Sequence, residues 1–380
     1  MDNLTHSLLG LAAAKAGLER LSPRATTTCL IAANLPDSDI VVLLFGDRWT
    51  FLQHHRGITH SIIGTIVLAL ILPTLFYFTD QIIAKVRSRQ PLINPKGLIV
   101  ASLVVGATHP FLDWTNNYGI RLLLPWSQKW IYGDFVFIID PYLWLTFGGA
   151  AFLLTSKTKV QIGAWLFLAS VLTYLVIFGP SQRGGLADPV FVRTFWIISF
   201  ILLAVLRKLG ATRRWCNRIA VTAFTVAIVY LGALAYAHRV ALEESHALAL
   251  LVANQNGESV TELAAMPTLA SPFRWQTVFE TDQATYRFNL ALRSQPDLAN
   301  LVRYERSSPH AAPLVAEALK GRPARIFMDF ARFPVARVDP NCIDQAIVQL
   351  ADLRYTEPGS ARGSFALEVP VECPPLSAER

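Results

Sequence analysis

Apolar residues run in long unbroken stretches through the first two thirds of this 380-residue chain and in short alternating ones afterwards. Ile62–Thr79, Val160–Gly179, Val190–Leu209 and Cys216–Ala237 each approach the roughly 20 apolar residues needed to cross a hydrocarbon core. Gly97–Asp113 and Asp134–Thr155 are interrupted by polar residues and predict helices that span or nearly span. Thr5–Arg20 and Arg24–Ser38, either side of Ser22-Pro23, are short enough for a half-buried helical hairpin instead of full spans.

After Ala237 the pattern changes. Trp275–Glu280 and Ala284–Leu292 alternate around Thr281-Asp282-Gln283 and predict a hairpin, with Arg325–Phe330, Ala346–Tyr355 and Ser364–Val371 as further strands. Ala237–Ala253 reads as a helix that continues out of the membrane as charges appear. The expected fold is mainly α: a polytopic membrane bundle of six to eight helical segments over residues 1–237, then a small β-rich soluble domain over residues 238–380.

Composition agrees, with 53% hydrophobic and 16% charged residues against about a quarter charged in soluble domains. Residues 1–237 carry 20 Lys/Arg and 10 Asp/Glu, whereas the remainder carries 14 and 17. The basic excess therefore belongs to the apolar part and reads as cytoplasmic loop charge, not as a nucleic-acid footprint. Lys15/Arg20/Arg24, Lys85/Arg87/Arg89/Lys96, Lys157/Lys159 and Arg207/Lys208/Arg213/Arg214/Arg218 fall on one side if the chain crosses alternately. That layout puts the N-terminus and the C-terminal domain outside the cytoplasm, which in a bacterium with two membranes means the periplasmic face of the inner membrane. In that compartment Cys342 and Cys373 can pair, closing a 32-residue loop. Asp2, Asp47 and Asp80 read as solvated ends.

Ionisable groups at the ends of membrane helices are expensive and usually face a cavity. Here His6, Asp37 and Asp39, His54-His55-Arg56 with His60, His109 and Asp113, Asp134 and Asp140 all fall at the outer ends of the expected segments. His109 and Asp113, four apart, share one helix face, although Pro110 fits only in a first turn or at a kink. Imidazole with carboxylate suits zinc, with manganese or iron as alternatives, and Arg56 suits a phosphate oxygen fork. Taken singly, Asp37 after Pro36 and Asp134 after Gly133 are equally well read as helix caps.

Asn3-Leu4-Thr5-His6-Ser7, Leu35-Pro36-Asp37-Ser38-Asp39, His54-His55-Arg56-Gly57-Ile58-Thr59-His60-Ser61 and His109-Pro110-Phe111-Leu112-Asp113 resemble the signature blocks of the YdjM-like, or LexA-binding, family of inner-membrane-associated metal-dependent hydrolases. Asn116-Asn117-Tyr118-Gly119, Leu124-Pro125, Trp130–Asp134 and Asp140-Pro141 are similar to its later blocks, so the resemblance covers about residues 1–240. It implies a hydrolase. The order of the His and Asp blocks is in turn similar to zinc-dependent phospholipase C, which implies His6, Asp37, His54 or His55, His60, His109 and Asp113 as ligands. The glutamate that such enzymes add has no clear match.

The resulting expectation is a membrane enzyme using a divalent metal against a phosphoester of a lipid or lipid-linked substrate. Asp37 or Asp39 would be the general base or a bridging ligand, Arg56 would hold phosphate, and Asn116 with Asn117 would orient substrate. A scaffold or regulator with a structural metal is the alternative. A metal or proton transporter ranks last, because Val160–Gly179 and Ala220–Ala237 offer almost no polar residues at depth.

Overall fold

The long apolar runs are helices in the computed structural model, which describes residues 1–178, 189–294, 298–309, 311–338, 345–359 and 365–373. The chain divides into two units: Met1–Ser38, Arg56–Ala237 and Pro267–Pro272 form the first, and Asp39–His55, His238–Met266 and Phe273–Arg380 the second.

The helices of the membrane part are α1 (Asn3–Ala16) and α2 (Ala25–Ala32), then, after α3 (Arg48–His54) of the second unit, α4 (Ile62–Val86), α5 (Pro95–Trp114), α6 (Pro141–Thr155), α7 (Lys159–Phe178), α8 (Pro189–Lys208) and α9 (Ala211–Asn256). Five are long and apolar enough to cross a membrane: α4, α5, α7, α8 and the Arg218–Asn256 stretch of α9. The most apolar windows of α4, α7 and α8 have mean hydropathies of 2.0 to 2.2 but are only 22%, 11% and 11% buried. Apolar surface left so open is stable in lipid, not in water. The chain is a multi-pass membrane protein.

Four expectations are corrected. The run Arg24–Ser38 is not one helix: α2 gives way to a 3-10 helix, Leu35–Leu44, at a 57° bend. Pro36 cannot donate to a continuing helix, so the bend follows the sequence. The helix expected from Asp134 starts at Pro141, because Asp140 accepts hydrogen bonds from the Tyr142 and Leu143 amides and proline suits a first turn. Pro110 lies inside α5, which runs on through it to Trp114. Asp47 is exposed, as expected of a solvated end, whereas Asp80 is buried. Asp2 caps α1, Asp47 caps α3, and Asp80 holds Arg89 and the amides of Leu92 and Ile93.

Within the first unit α1 and α6 start together. The Asp2 amide donates to Ile138 O at 3.1 Å and Trp144 Nε1 donates to Asp2 Oδ1 at 3.1 Å. At the opposite end the Asn94 amide donates to Ser22 Oγ at 2.9 Å, Thr212 Oγ1 donates to Leu153 O at 2.7 Å, and Arg207 donates to Ser156 Oγ. The four basic clusters therefore gather at one end of this unit.

The second unit carries a four-stranded sheet in the order β1 (Val260–Thr268), β2 (Ser271–Thr281), β3 (Ala284–Ala291), β4 (Val302–Glu305). A three-stranded sheet follows in the order β5 (Pro334–Val338), β6 (Gln345–Asp352), β7 (Ala366–Glu372). Met266, Val278, Phe333, Val335 and Leu353 from both sheets share one buried cluster. Between the sheets lie α10 (Ala312–Ala318) and α11 (Arg322–Phe330). The strand expected at Arg325–Phe330 is thus a helix: Pro323 occupies its first turn, and Ala324, Phe327 and Phe330 are buried at helical spacing. Cys373 is disulfide-bonded, and its expected partner Cys342 lies outside the described residues.

Glu258 is buried and accepts from Thr281 Oγ1 at 2.7 Å, Tyr286 OH at 2.9 Å and Arg303 Nη2 at 2.9 Å. Burial works to raise its pKa, but the three donors outweigh burial and hold it below the ordinary value. A depressed carboxyl stabilises above its unfolded pKa, near 4.3, and that stability is lost as pH falls through the folded value. Glu258→Gln is therefore expected to lower the thermal midpoint at pH 7 and to shrink this loss between pH 5 and 3, read by melts across that range.

Candidate metal centre

Four segments of the first unit deliver the side chains. Asp2 accepts from the Thr5 amide and so fixes the first turn of α1, which carries His6. Asp37 sits in the 3-10 helix after α2, with Asn3 Nδ2 donating to its Oδ2 at 3.0 Å. His60 ends a short 3-10 turn, Ile58–His60, before α4, and His109 and Asp113 lie one turn apart on α5.

His60, His109 and Asp113 are buried and Asp37 is 18% exposed at its side chain. His60 Nε2 is 3.3 Å from both Asp37 Oδ1 and Asp113 Oδ2, His109 Nε2 is 3.5 Å from the same two oxygens, and the two Nε2 atoms are 3.2 Å apart. Zinc with nitrogen and oxygen donors at about 2.0–2.2 Å in a tetrahedron spaces those donors roughly 3.3–3.6 Å apart. These five distances, 3.2–3.5 Å, lie close to that figure.

The chemistry of the donors points the same way. His109 Nδ1 donates to Ala33 O at 2.6 Å, which fixes its tautomer and leaves a lone pair on Nε2. That lone pair faces two carboxylate oxygens and a second imidazole, a cluster of acceptors that a cation satisfies. The four residues could hold one metal ion. His6 adjoins them: its ring stacks on His109 at 3.8 Å and its Nε2 is 3.3 Å from Asp113 Oδ1, while its buried Nδ1 has no hydrogen-bond partner among the described residues. The Met1 amino group also contacts Asp113 Oδ1.

Arg56 is placed differently from the phosphate-holding role expected of it. It is buried, with Nε 3.1 Å from Asp113 Oδ2 and Nη2 3.2 Å from Oδ1, while Nη1 donates to Asn116 Oδ1 at 2.9 Å. The guanidinium also stacks over Tyr118 at 4.6 Å. All three nitrogens face protein groups, so Arg56 orients Asp113 from behind. Asn116 in turn holds Arg56 and the Tyr118 amide through Oδ1. Asp39 and His55 form a pair at 3.1 Å in the second unit, and His54 is exposed there on α3. Sequence reasoning missed Asn3, although it lies in a quoted block, and the Ala33 carbonyl, which no side chain marks.

Gly64 shows how tightly His60 is set. A Cβ there would lie 1.7 Å from Ile58 O, so Gly64→Ala must shift the turn that carries His60. Such overpacking typically costs about 1–3 kcal/mol. We expect a lower thermal midpoint together with weakened metal retention, measured on the purified variant.

The family model described as YdjM inner membrane protein matches residues 1–185. The chain is 26% identical over 156 residues to the "Uncharacterized protein YfhP" of Bacillus subtilis (strain 168), covering 38% of this chain and 44% of that one. It is 32% identical over 115 residues to the "Inner membrane protein YbcI" of Escherichia coli (strain K12), covering 30% and 60%. The chain thus spans about half the length of these curated relatives. No solved structure matches. The matched residues include every member of the His/Asp cluster, and the expected resemblance to the YdjM inner membrane protein family is borne out over residues 1–185.

Proposed function

We propose that the chain is a membrane-bound metal-dependent hydrolase acting on a phosphoester of a lipid or lipid-linked substrate at the outer face of the inner membrane. The observation that carries the metal is the 3.2–3.5 Å spacing of the two His Nε2 atoms from each other and from the Asp37 and Asp113 oxygens. Zinc fits this nitrogen and oxygen set best, with manganese or iron next. Such an ion supplies Lewis acidity to a phosphoryl oxygen and makes water acidic enough to be deprotonated near neutral pH. Asp37, the most accessible of the four, is placed to take a proton while Asn3 steadies its other oxygen. Arg56 keeps Asp113 in register. The substrate class rests on depth, because a site at the end of membrane helices meets lipids first.

The outer face rests on the basic clusters, gathered at one end of the first unit, while His6 and its neighbours lie at the other. A reporter active only in the periplasm is expected to work when fused after Ala241 and to be silent within Arg87–Gln90. The reverse pattern overturns the orientation.

One observation favours a structural metal: four protein donors already converge on the site, whereas catalytic zinc usually has three protein ligands and keeps one position open. Assaying release of phosphate-bearing head group from phospholipids and lipid-linked phosphates, with and without chelator, separates the two. Chelator-sensitive release supports the hydrolase. A metal-loaded protein that cleaves nothing in the panel supports the scaffold.

A further inference from the structure

A cavity of about 140 Å³ lies between α1, α6, α7 and α8, away from the His/Asp cluster. Every lining side chain is apolar or glycine, and three of them are tryptophans. Each indole N–H is already bonded: Trp144 donates to Asp2, Trp165 to Thr155 Oγ1 at 2.9 Å and Trp196 to Thr173 Oγ1 at 3.0 Å. The wall thus offers water nothing to bind. An apolar cavity of this size stays dry and takes up hydrocarbon, and around spans as exposed as α7 and α8 the hydrocarbon at hand is a lipid tail.

The end of the cavity is charged. Phe152 belongs to its wall, and the Arg207 guanidinium sits 5.5 Å over the Phe152 ring while donating to Ser156 Oγ. Arg207 Nε and Nη2 make no hydrogen bond to any described residue. Lys157 and Lys159 are exposed just beyond Ser156, and Lys208 follows Arg207. From Trp144 to Phe152 the wall runs about 12 Å along α6, ending at the basic side. A dry slot for hydrocarbon closed by an arginine fork is complementary to an acyl tail joined to a phosphate.

We propose that this cavity is a binding site for one anionic phospholipid of the leaflet facing the basic clusters. One acyl tail fills the space between α6, α7 and α8, and the phosphate meets Arg207 with Lys157 and Lys159. The site is independent of the hydrolase reading and needs no metal.

The test is native mass spectrometry of the detergent-purified full chain, titrated with phosphatidylglycerol or with phosphatidylcholine of the same chains, with and without inorganic phosphate. Wild type is expected to bind phosphatidylglycerol at least tenfold more tightly, and phosphate alone should not displace it. Arg207→Gln should weaken phosphatidylglycerol by about fivefold, the contribution of one basic group at a membrane surface, and leave phosphatidylcholine unchanged. Ala169→Phe fills the cavity without changing charge and should weaken both lipids, with Leu172→Trp as a second filler should the first fail to fold. Equal binding of the two lipids by wild type overturns the proposal. So does full phosphatidylglycerol binding by a folded filler variant, or displacement by phosphate alone, since either leaves only a basic surface.

Discussion

His109→Ala is expected to strip the metal and the hydrolytic activity together while the protein stays inserted and helical. His109 contributes one of the two imidazole donors, and its Nδ1 bond to Ala33 O holds the ring in place. Loss of an outer hydrogen-bond partner costs about 10–100-fold in metal affinity, so loss of a ligand should cost more. Metal content should fall from about one equivalent per chain to a small fraction of that. Insertion rests on spans such as α4, α7 and α8, whose apolar surfaces face lipid and do not involve His109. Elemental analysis beside far-ultraviolet circular dichroism reads both halves of the expectation. A variant that keeps its metal, or one that loses its helices, contradicts it.

The second large effect is at Arg56. Removing one partner of a buried ion pair costs about 3–5 kcal/mol, because the other charge is left uncompensated. Arg56→Ala should therefore be strongly destabilising in the chelated protein, where Asp113 loses its fork. It should be less so in the loaded protein, where the ion still balances the carboxylate. Arg56→Lys should recover little, since an ammonium cannot span both Asp113 oxygens and Asn116 Oδ1. Denaturant unfolding with and without chelator measures the difference. If Arg56 instead gripped substrate phosphate, its replacement would raise KM and leave the unfolding midpoint in place.

The membrane half was legible because lipid imposes a simple constraint. A span must be long and apolar, so Val160–Gly179 and Val190–Leu209 reappear nearly unchanged as α7 and α8, while α4 starts at Ile62 as expected and runs on to Val86. The His/Asp cluster was legible for a related reason: His60, His109 and Asp113 stand out where charge is costly. The pairing of Arg56 with Asp113 was not, because a guanidinium that could fork a phosphate forks a carboxylate just as well. Only the fold places Asp113 within 3.2 Å of it. In the second unit β2 and β3 followed their alternation, whereas α11 was misread because a nine-residue apolar-polar segment fits either period. β1, β4 and β5 were missed. β4 and β5 are short, and β1 alternates poorly, with four consecutive buried residues.

The central claim is that Asp37, His60, His109 and Asp113 bind one divalent ion. X-ray absorption at the metal edge of the purified wild-type protein addresses it most directly. The account predicts about one zinc per chain with nitrogen and oxygen neighbours at about 2.0–2.2 Å, imidazole scattering from two or three histidines and no sulfur. A protein purified without chelator that carries no stoichiometric metal, or whose metal is bound through sulfur, contradicts it.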